Sequence, residues 1–523
     1  MYARILSSAA ALALSSGMAL ADYSLTILHT NDIHSRIEPI SRFDSGCSAE
    51  SNAEGSCFGG SARLATAIAA ARASSPNSIL VDGGDQFQGT LFYTYYKGAL
   101  AAEMMNKMGY EAMTLGNHEF DDGPEVLRNF IDAVDFPVVS SNTEFSGEPL
   151  LAGALEQSKI IMKDGEPIGL IGLTPQGTDE LASPGPNVSF TDPIAAVQAQ
   201  VDLLTAAGVN KIIVLSHSGY ATEMAVAEGT TGVDVIVGGH SHSLLSNIND
   251  RAVGPYPTMV GTTAVVQDYA YGKYLGKLNV VFDDDGVITS ANGEPILLDR
   301  FVAEDPEIVA RVAEAAAPLE EIRQLVVAET AEPLDGDRGS CRARECTMGN
   351  IIADAMLDRV KDLGIQIAIQ NGGGIRASID AGEVTMGEVL TVLPFQNTLS
   401  TFEVSGATIL EALENGVSQF EEGAGRFPQV AGLKYTFDVA SEPGARISEV
   451  MVMDGGAYVP IDAAKTYGVV SNNYVRNGGD GYAMFKSAAN AYDFGPDLAD
   501  VTAEYMAKMG PVVPMLDGRI TAK

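Results

Sequence analysis

Basic side chains are scarce in this sequence. Its 523 residues include 32 Lys and Arg against 68 Asp and Glu, which gives a formal charge of −36 at pH 7. A field of that sign repels nucleic acid and anionic lipid, so the balance excludes a general nucleic-acid-binding protein. An acidic protein can still bind a phosphate where metal ions or a few placed arginines supply local positive charge.

Long hydrophobic runs are also lacking. Residues 1–21 read as a secretory signal, with "MYAR" as the positive start, "ILSSAAALAL" as the apolar region and "ALA" as the cleavage site, so we expect the mature chain to begin at Asp22. Serines and a glycine interrupt this stretch, which makes it too short for a transmembrane anchor. The end, "GRITAK", lacks the hydrophobic tail of a lipid-anchor signal. We therefore expect a periplasmic or secreted protein without a membrane anchor.

Cysteines are few and fall into two local pairs. Cys47 and Cys57 form one pair, and Cys341 and Cys346 form the other. An exported protein meets an oxidising compartment, so the spacing favours two short-loop disulfides. The alternative is a zinc site made of all four thiols. It requires the distant pairs to meet, and neither pair has C-x-x-C spacing.

The length and the pattern of the chain predict an α/β protein of at least two domains. Short runs rich in Ile, Leu and Val, such as "SILVDGG" and "KIIVLSHS", alternate with Ala-rich helical stretches such as "DPIAAVQAQVDLLTAAG". This alternation is typical of α/β domains with largely buried sheets, and we assign it to a first domain at residues 22–304.

A different kind of segment follows the first domain. Residues 305–325 are rich in Ala and Glu, with Asp305 as a candidate N-cap and Pro306 at the first helical position, and we predict an interdomain helix. A second α/β domain, residues 326–523, is expected after it, beginning with the helix "GNIIADAMLDRV" and the strand "IQIAIQ".

Five of the six histidines stand where apolar runs end. Each group follows a predicted strand, so we expect all of them to meet at the C-terminal edge of a sheet, where α/β folds build their sites. Any one group alone is weak evidence, since a D-x-H pair or a lone histidine is more often structural. The sixth histidine, His29, lies within the first strand and is expected to be structural. The groups are Asp32 with His34, Asp85, Asn117 with His118, His217, and His240 with His242.

Imidazole and carboxylate ligands of this kind suit divalent metal ions. They favour zinc, with manganese or cobalt as alternatives. Two ions lying close together need a bridging carboxylate, and Asp85 is the natural candidate. Such a pair would clamp a phosphate and lower the pKa of bound water.

Several motifs together resemble the 5′-nucleotidase family of metallophosphoesterases. In the first half they are "ILHTNDIHSR", "GGDQFQGT", "GNHEFD", "HSG" and "GGHSH", and in the second half "SCRARECTMGN", "NGGGIR", "LPF" and "NGGDGY". The match covers nearly the whole mature chain. It implies a calcineurin-like β-sandwich flanked by helices, a linker helix and a C-terminal α/β substrate domain. In that family the C-terminal domain rotates, which implies a hinge role for the helix.

The resemblance implies the ligands of two metal ions. The first would be held by Asp32, His34 and Asp85, and the second by Asp85, Asn117, His217 and His240. His242 stands where relatives often have Gln or Asn, so a role at the metal and a role at the phosphate both stay open.

The resemblance also implies a catalytic pair. His118, oriented by Asp121, would be a cationic partner for the charge on the transferred phosphoryl group. Glu119 and Asp122 are expected to be structural, and Arg36 is expected to face the phosphate.

Substrate contacts are implied for the second half. Asn371, Gly373, Gly374 and Arg376 belong to the loop that approaches the nucleotide, and Arg342, between the cysteines of its pair, matches a second phosphate-contacting arginine. Phe395 and Tyr474 match an aromatic pair that stacks on the base, and Asp480 matches a carboxylate that binds the ribose hydroxyls. Taken singly, such arginines are more often surface charges and such aromatics more often core residues.

The function implied is an exported two-metal 5′-nucleotidase that releases phosphate from nucleoside monophosphates such as AMP. A related hydrolase of UDP-sugars or dinucleotide pyrophosphates is the nearest alternative. A nucleotide-binding protein without turnover is another, although binding alone does not require His118 and Asp121. The sequence leaves the oligomeric state open.

Overall fold

The computed structural model of the protein describes residues 22–42, 44, 47–182, 184–395, 397–493 and 495–523. The signal sequence expected at residues 1–21 lies outside these ranges. The described residues up to 304 form the strands β1 (Tyr23–Thr30), β2 (Ser78–Asp82), β3 (Ala112–Thr114), β4 (Val138–Val139), β5 (Thr143–Glu144), β6 (Ser158–Lys163), β7 (Glu166–Leu173), β8 (Ser189–Phe190), β9 (Ile212–Ser216), β10 (Val235–Val237), β11 (Thr258–Val260), β12 (Thr263–Val266), β13 (Tyr274–Phe282), β14 (Ile288–Gly293) and β15 (Ile296–Leu297). The helices of the same part and the one that follows it are α1 (Ala49–Ala53), α2 (Ser61–Ser74), α3 (Leu91–Tyr96), α4 (Ala99–Met108), α5 (Gly123–Ala133), α6 (Thr178–Leu181), α7 (Pro193–Ala206), α8 (Tyr220–Gly229) and α9 (Pro306–Arg323).

Two sheets form the centre of this first part. One has seven strands in the order β14-β13-β1-β2-β3-β4, with β15 also pairing with β13, and its strands β1 to β4 run parallel. The other has six strands in the order β11-β12-β10-β9-β7-β6, with β7, β9, β10 and β12 parallel. A continuous apolar core fills the space between the sheets and includes Leu25, Ile79, Leu170, Ile213 and Val237.

Helices cover the outer faces of both sheets. Helices α2, α4 and α5 bury Leu64, Met105 and Phe130 against the first sheet, whereas α7 and α8 bury Val197 and Val226 against the second. Because both faces of the parallel strands are covered, these strands are continuous apolar runs, as parallel sheets require. The predicted α/β class, with a sandwich of two sheets flanked by helices, is confirmed.

The two sheets approach each other closely at Gly172 of β7. Its carbonyl accepts a hydrogen bond from the backbone N–H of Ser141 at 2.8 Å, just beyond β4 of the other sheet. A Cβ atom at Gly172 would fall on the carbonyl group of Val139. Glycine is therefore required here by close backbone approach.

Helix α9 is the helix predicted between the two parts. The Asp305 side chain caps it by accepting from the backbone N–H groups of Glu307 and Ile308 at 2.9 and 3.0 Å. Its residue Leu319 is buried in the core of the first part, and the Arg323 guanidinium in its last turn pairs with the Glu38 carboxylate at 3.2 Å. The helix is present as predicted; the domain boundaries at either end of it stay a prediction.

The second part is also α/β. Its strands are β16 (Val326–Thr330), β17 (Ile367–Asn371), β18 (Gly382–Thr385), β19 (Leu399–Ser405), β20 (Pro428–Ala431), β21 (Leu433–Phe437), β22 (Ile447–Asp454), β23 (Ala457–Pro460), β24 (Thr466–Asn472), β25 (Ala489–Tyr492) and β26 (Ile520–Ala522). Its helices are α10 (Arg338–Cys341), α11 (Thr347–Val360), α12 (Met386–Val392), α13 (Gly406–Val417), α14 (Asn473–Arg476) and α15 (Leu498–Met509). A five-stranded sheet, β20-β17-β24-β19-β25, packs against α11 and α15 on one face and against α13 on the other.

Both predicted cysteine pairs are present as disulfides. Cys47 is bonded to Cys57, and Cys341 is bonded to Cys346, with Cα–Cα distances of 6.0 and 5.2 Å. The zinc alternative for these thiols is thereby wrong. Across the part of the chain that the structure describes, the helices are all too short or too polar to span a bilayer.

We predict that Gly172→Ala lowers the free energy of unfolding by about 3 kcal/mol, because the added methyl group meets backbone that cannot rotate away. Urea unfolding followed by circular dichroism measures the change. Gly177→Ala is the matched control, since Gly177 has φ −86° and no atom within 4 Å of the added Cβ. It should leave stability unchanged or raise it by about 0.4–1 kcal/mol. Equal stability of the two variants would show that the sheets can separate at this point without cost.

Candidate functional site

The predicted metal ligands converge, but they come from two sheets. Asp32, Asp85 and Asn117 follow β1, β2 and β3 of the first sheet, whereas His217 and His240 follow β9 and β10 of the second. The expectation that all groups share the edge of one sheet is therefore wrong. Each strand is an apolar run of the same appearance, so nothing in its sequence tells which sheet it joins. The site lies where the carboxyl ends of two packed sheets meet.

Three overlapping clusters of ligand atoms form this centre, each with its atoms within 4.8 Å of one another. The Asp85 carboxylate belongs to two of them, with Oδ2 at 2.9 Å from Nε2 of His217 and 3.8 Å from Nε2 of His34. Asp85 thus has the position that a bridging ligand needs. The clusters are Asp32 with His34 and His242, His34 with Asp85 and His118, and Asp85 with His217 and His240.

Backbone carbonyls orient two of the imidazoles toward the centre. Nδ1 of His34 lies 3.1 Å from the carbonyl of Phe87, and Nδ1 of His217 lies 2.6 Å from that of Gly83. When each Nδ1–H donates to its carbonyl, the Nε2 lone pair faces the cluster, which is the arrangement of metal-binding histidines. Among the described residues, Oδ1 of Asn117 is buried without a hydrogen-bond partner, and Nε2 of His217 is buried with the Asp85 carboxylate as its neighbour at 2.9 Å. An unpaired amide oxygen and an imidazole facing a carboxylate fit a metal ion.

The charges of the cluster also favour the binding of cations. Burial alone would lower the pKa of His217, but the carboxylates of Asp85 and Asp32 raise it to about 10. Burial lowers the pKa of His34 to about 3, which keeps that ring neutral and able to coordinate. The carboxylates therefore favour a positive charge at this place. A bound metal ion would supply that charge in place of a proton on the imidazole.

Several proposed ligands have unusual backbone conformations. Asp32, His34, Asp85, His240 and His242 have φ values of 52°, 49°, 57°, 70° and 48°. Only a few per cent of non-glycine residues adopt this left-handed region, and such strain collects at functional sites. The left-handed conformation produces sharp turns, and these turns direct the side chains back over the ends of the strands.

Glu119 holds the Asp85 turn in place. Its buried carboxylate accepts from the backbone N–H groups of Asp85, Gln86 and Gly116 at 3.0, 2.7 and 2.6 Å. This agrees with the structural role expected for Glu119. Asn31, which the sequence analysis missed, acts in the same way, since its amide donates to Oδ2 of Asp32 at 2.7 Å. In the sequence, only the position of Asn31 within the "HTNDIH" motif indicates this role.

The predicted catalytic pair lies at the edge of the cluster. Nδ1 of His118 is 2.7 Å from Oδ2 of Asp121. Burial opposes a charge on this ring, yet the carboxylates of Asp121 and Asp85 raise the pKa of His118 to about 9 and so favour its charged form. Asp122 points away from this pair, accepting from Tyr93 at 2.6 Å and from Lys97 at 3.0 Å.

Two cavities border the cluster region. The larger, about 800 Å³, is lined by Asn117, His118, Asp121 and His240 together with residues of the second part such as Arg476. The smaller, about 550 Å³, collects eight of the nine predicted substrate contacts: Arg342, Asn371, Gly373, Gly374, Arg376, Phe395, Tyr474 and Asp480.

Direct contacts connect the residues of the smaller cavity, which we call the nucleotide cavity after the ligand that the sequence analysis predicts for them. The Asn371 amide donates to Oδ2 of Asp480 at 2.7 Å, and the Tyr474 hydroxyl donates to Oδ1 of the same carboxylate at 3.1 Å. The Arg376 guanidinium lies 5.4 Å from the centre of the Phe395 ring. A carboxylate, two aromatic rings and a guanidinium are thus presented together, which suits a ribose, a base and a phosphate.

Arg36 has a different place from the one expected. It is buried behind Tyr271, with its guanidinium 5.0 Å from the centre of that ring, and its Nη1 donates to the carbonyl of Gly89. Tyr271 itself lines the nucleotide cavity from the first part, together with Tyr269, Arg42 and Arg251. The sequence analysis assigned none of these four. Tyr271 lies in the "AYGKYLG" stretch, whose strand-like pattern carries no sign of a site.

Family models match both parts of the chain. One described as calcineurin-like phosphoesterase matches residues 25–244, and one described as 5′-nucleotidase, C-terminal domain, matches residues 326–487. Among individual proteins, a 5′-nucleotidase of Diplobatis ommata is 40% identical over 96% of this chain and 90% of its own length. The Homo sapiens 5′-nucleotidase is 38% identical over 95% of this chain and 91% of its own.

Solved structures give the same result. The chain is similar to a 5′-nucleotidase precursor from Thermus thermophilus, with a TM-score of 0.68 and 41% identity over 96% of this chain and 99% of that one. It is also similar to the NAD nucleotidase of Haemophilus influenzae, with a TM-score of 0.69 and 27% identity over 96% and 100% of the two chains. These matches confirm the resemblance seen in the motifs, and the chain belongs to the 5′-nucleotidase family.

Proposed function

We propose that the protein is a metal-dependent 5′-nucleotidase that hydrolyses nucleoside 5′-monophosphates, AMP among them, to a nucleoside and phosphate. One observation carries this proposal. A carboxylate–imidazole cluster that suits two cations lies next to a cavity that suits a nucleotide. Family membership supports the same reaction, since relatives at about 40% identity are named 5′-nucleotidases.

The proposed metal sites use the residues of the three clusters except His118, together with Asn117 and its unpaired Oδ1. Asp32, His34 and His242 would hold the first ion and Asn117, His217 and His240 the second, with Asp85 shared by both. This arrangement makes His242 a ligand, because its Nε2 lies 3.1 Å from both Oδ1 of Asp32 and Nε2 of His34. Mixed nitrogen and oxygen ligands favour zinc, with manganese or cobalt as alternatives. When bound, two such ions polarise the phosphoryl oxygens and activate water.

The chain's own groups would complete the chemistry. The cationic ring of His118, held by Asp121, stabilises negative charge that develops on the phosphoryl group. Arg342 and Arg376 bind the phosphate on its way to the metal cluster, Phe395 and Tyr474 stack on the base, and Asp480 accepts from the ribose hydroxyls. Water supplies the oxygen that joins phosphorus, and the bond from phosphorus to the 5′-oxygen breaks, so that the nucleoside leaves.

Export of the protein belongs to the same proposal. The signal sequence expected at residues 1–21 directs the chain to a periplasm or to the outside. The two disulfides support this location, because such bonds persist in oxidising compartments.

A second candidate activity is cleavage of a dinucleotide or sugar-nucleotide pyrophosphate. It is favoured by the likeness to a protein named NAD nucleotidase, which extends over 96% of this chain. Both reactions attack a phosphorus atom bound to a 5′-oxygen, so the same cluster would serve either.

We predict that the zinc-loaded protein releases phosphate from AMP with a higher kcat/KM than it cleaves UDP-glucose or NAD. Chelation should abolish turnover and added zinc should restore it, because the protons that replace the ions cannot act as Lewis acids on the phosphate. Phosphate release and chromatography of the nucleotides measure the three rates. A higher kcat/KM for UDP-glucose or NAD would favour the second activity. Metal-loaded protein that binds AMP without turnover would refute hydrolysis altogether.

We predict that His118→Asn lowers kcat for AMP by roughly 10²-fold or more while two metal ions stay bound. The variant removes the cation but leaves Asn117 and the Asp85 turn. Kinetics and elemental analysis of the dialysed protein give the two readings. Asp122→Asn is the control in the same turn, because Asp122 bonds to Tyr93 and Lys97 instead, and it should keep most of the activity. Loss of a metal ion from His118→Asn would make His118 a ligand.

We predict that Phe395→Ala and Tyr474→Ala each raise KM for AMP by about 5- to 150-fold, with kcat nearly unchanged, because base stacking is worth about 1–3 kcal/mol in both ground and transition states. Ribose 5-phosphate, which has no base, should be nearly indifferent to both changes. Tyr474→Phe keeps the ring and loses only the two hydrogen bonds of its hydroxyl with Asp480, so it separates stacking from hydrogen bonding. Equal losses on AMP and ribose 5-phosphate would show that the base binds elsewhere.

A further inference from the structure

Tyr271 lies between the metal cluster and the nucleotide cavity. It belongs to the loop between β12 and β13, and its backbone N–H donates to the carbonyl of Asp32 at 2.7 Å. Its φ of 62° is in the left-handed region, which a tyrosine rarely adopts. The backbone of Tyr271 is therefore fixed to the same turn that carries two of the proposed metal ligands.

The ring of Tyr271 contacts both imidazoles of the first cluster. Its centre lies 5.2 Å from that of His242, with the planes at 82°, and 5.7 Å from that of His34. The Arg36 guanidinium lies over the ring at 5.0 Å. A cation over an aromatic face is attracted by the ring's electrons and draws them toward itself. The cation thus makes the phenol hydroxyl a better hydrogen-bond donor than burial alone would, although burial has the larger effect and raises the pKa of Tyr271 to about 12.

The hydroxyl of Tyr271 is available to a ligand. Among the residues that the structure describes, no hydrogen bond to it is found, although Tyr271 lines the nucleotide cavity with Arg342 and Arg376. The neighbouring Tyr269 differs, since its hydroxyl donates to Asp44 at 2.7 Å. A packing role would explain the ring of Tyr271, but a phenylalanine would serve that role equally well.

Tyr271 is shared by the two regions that a bound phosphate ester would touch. It lines the nucleotide cavity with Arg342 and Arg376, and its ring contacts His34 and His242 of the first cluster. Phosphate oxygens accept hydrogen bonds, and a phenol beside a cation is a suitable donor.

We propose that Tyr271 is a substrate-positioning residue, whose hydroxyl donates a hydrogen bond to the phosphate group of the bound nucleotide. Arg36 acts through the ring rather than on the phosphate directly. This inference rests on the proposed function, because it requires a phosphate ester in the nucleotide cavity. It also separates two kinds of binding residue: Tyr271 acts on the phosphate, and the pair Phe395 and Tyr474 acts on the base.

The test is Tyr271→Phe, which keeps the ring and removes only the hydroxyl. KM should rise about tenfold for AMP and equally for ribose 5-phosphate, with kcat nearly unchanged, since a hydrogen bond to a charged group is lost in both ground and transition states. The inhibition constant of adenosine, which has no phosphate, should not change. Elemental analysis should find the same metal content as in the wild type, which gives a reading independent of activity.

The matched control is Tyr274→Phe, a nearby tyrosine that does not line the nucleotide cavity and whose hydroxyl accepts from Asn249 at 3.5 Å. It should have wild-type KM values for both substrates. An unchanged KM for Tyr271→Phe, a loss of metal, or an equal weakening of adenosine would overturn the inference. These outcomes are read against a wild type that hydrolyses AMP. A wild type without AMP turnover would refute the proposed function instead.

Discussion

The rest of this site is organised around two carboxylates that are buried side by side. Asp32 and Asp85 lie at the junction of the sheets, 0% and 2% exposed, in a chain that is already strongly acidic. Burying a charge is costly unless an opposite charge is held close to it. The same carboxylates raise the pKa of His217 against the effect of burial, so they favour a positive charge at this place. Metal ions supply that charge, and the surrounding imidazoles can then coordinate as neutral rings.

The fold around the carboxylates serves to keep them together. The apolar core between the sheets fixes the directions of β1, β2, β9 and β10, and the turns beyond these strands bring the ligands over the junction. Glu119 and Asn31 hold the two carboxylate turns from behind by hydrogen bonds. The proposed binding residues of the second part lie on separate elements. Their cavity reaches the cluster through Tyr271, so this tyrosine joins two regions with different tasks.

How well the sequence predicts a residue of this site depends on how distinctive its side chain and its neighbouring residues are. Asp32, Asp85 and His217 could be found because each ends an apolar run, and the chemistry of their side chains is distinctive. The sequence could not tell that β9 and β10 belong to a second sheet, because buried parallel strands have the same composition in either sheet. Tyr271 was missed because a tyrosine in a strand-like stretch is normally a packing residue. Arg36 was expected at the phosphate, yet its guanidinium is held behind that tyrosine by the carbonyl of Gly89.

The left-handed backbone at the ligand positions restricts how this centre can be altered by evolution or design. Asp, Asn and His are the non-glycine residues that tolerate such φ values best, and the five strained positions hold only Asp and His. Exchanging a histidine here for a cysteine or a glutamate, to change the preferred metal, would place a poorly suited residue on a strained turn. The backbone would have to be rebuilt together with the ligand. The ligand set of this centre can therefore drift among a few side chains, while larger changes in metal chemistry require a new loop.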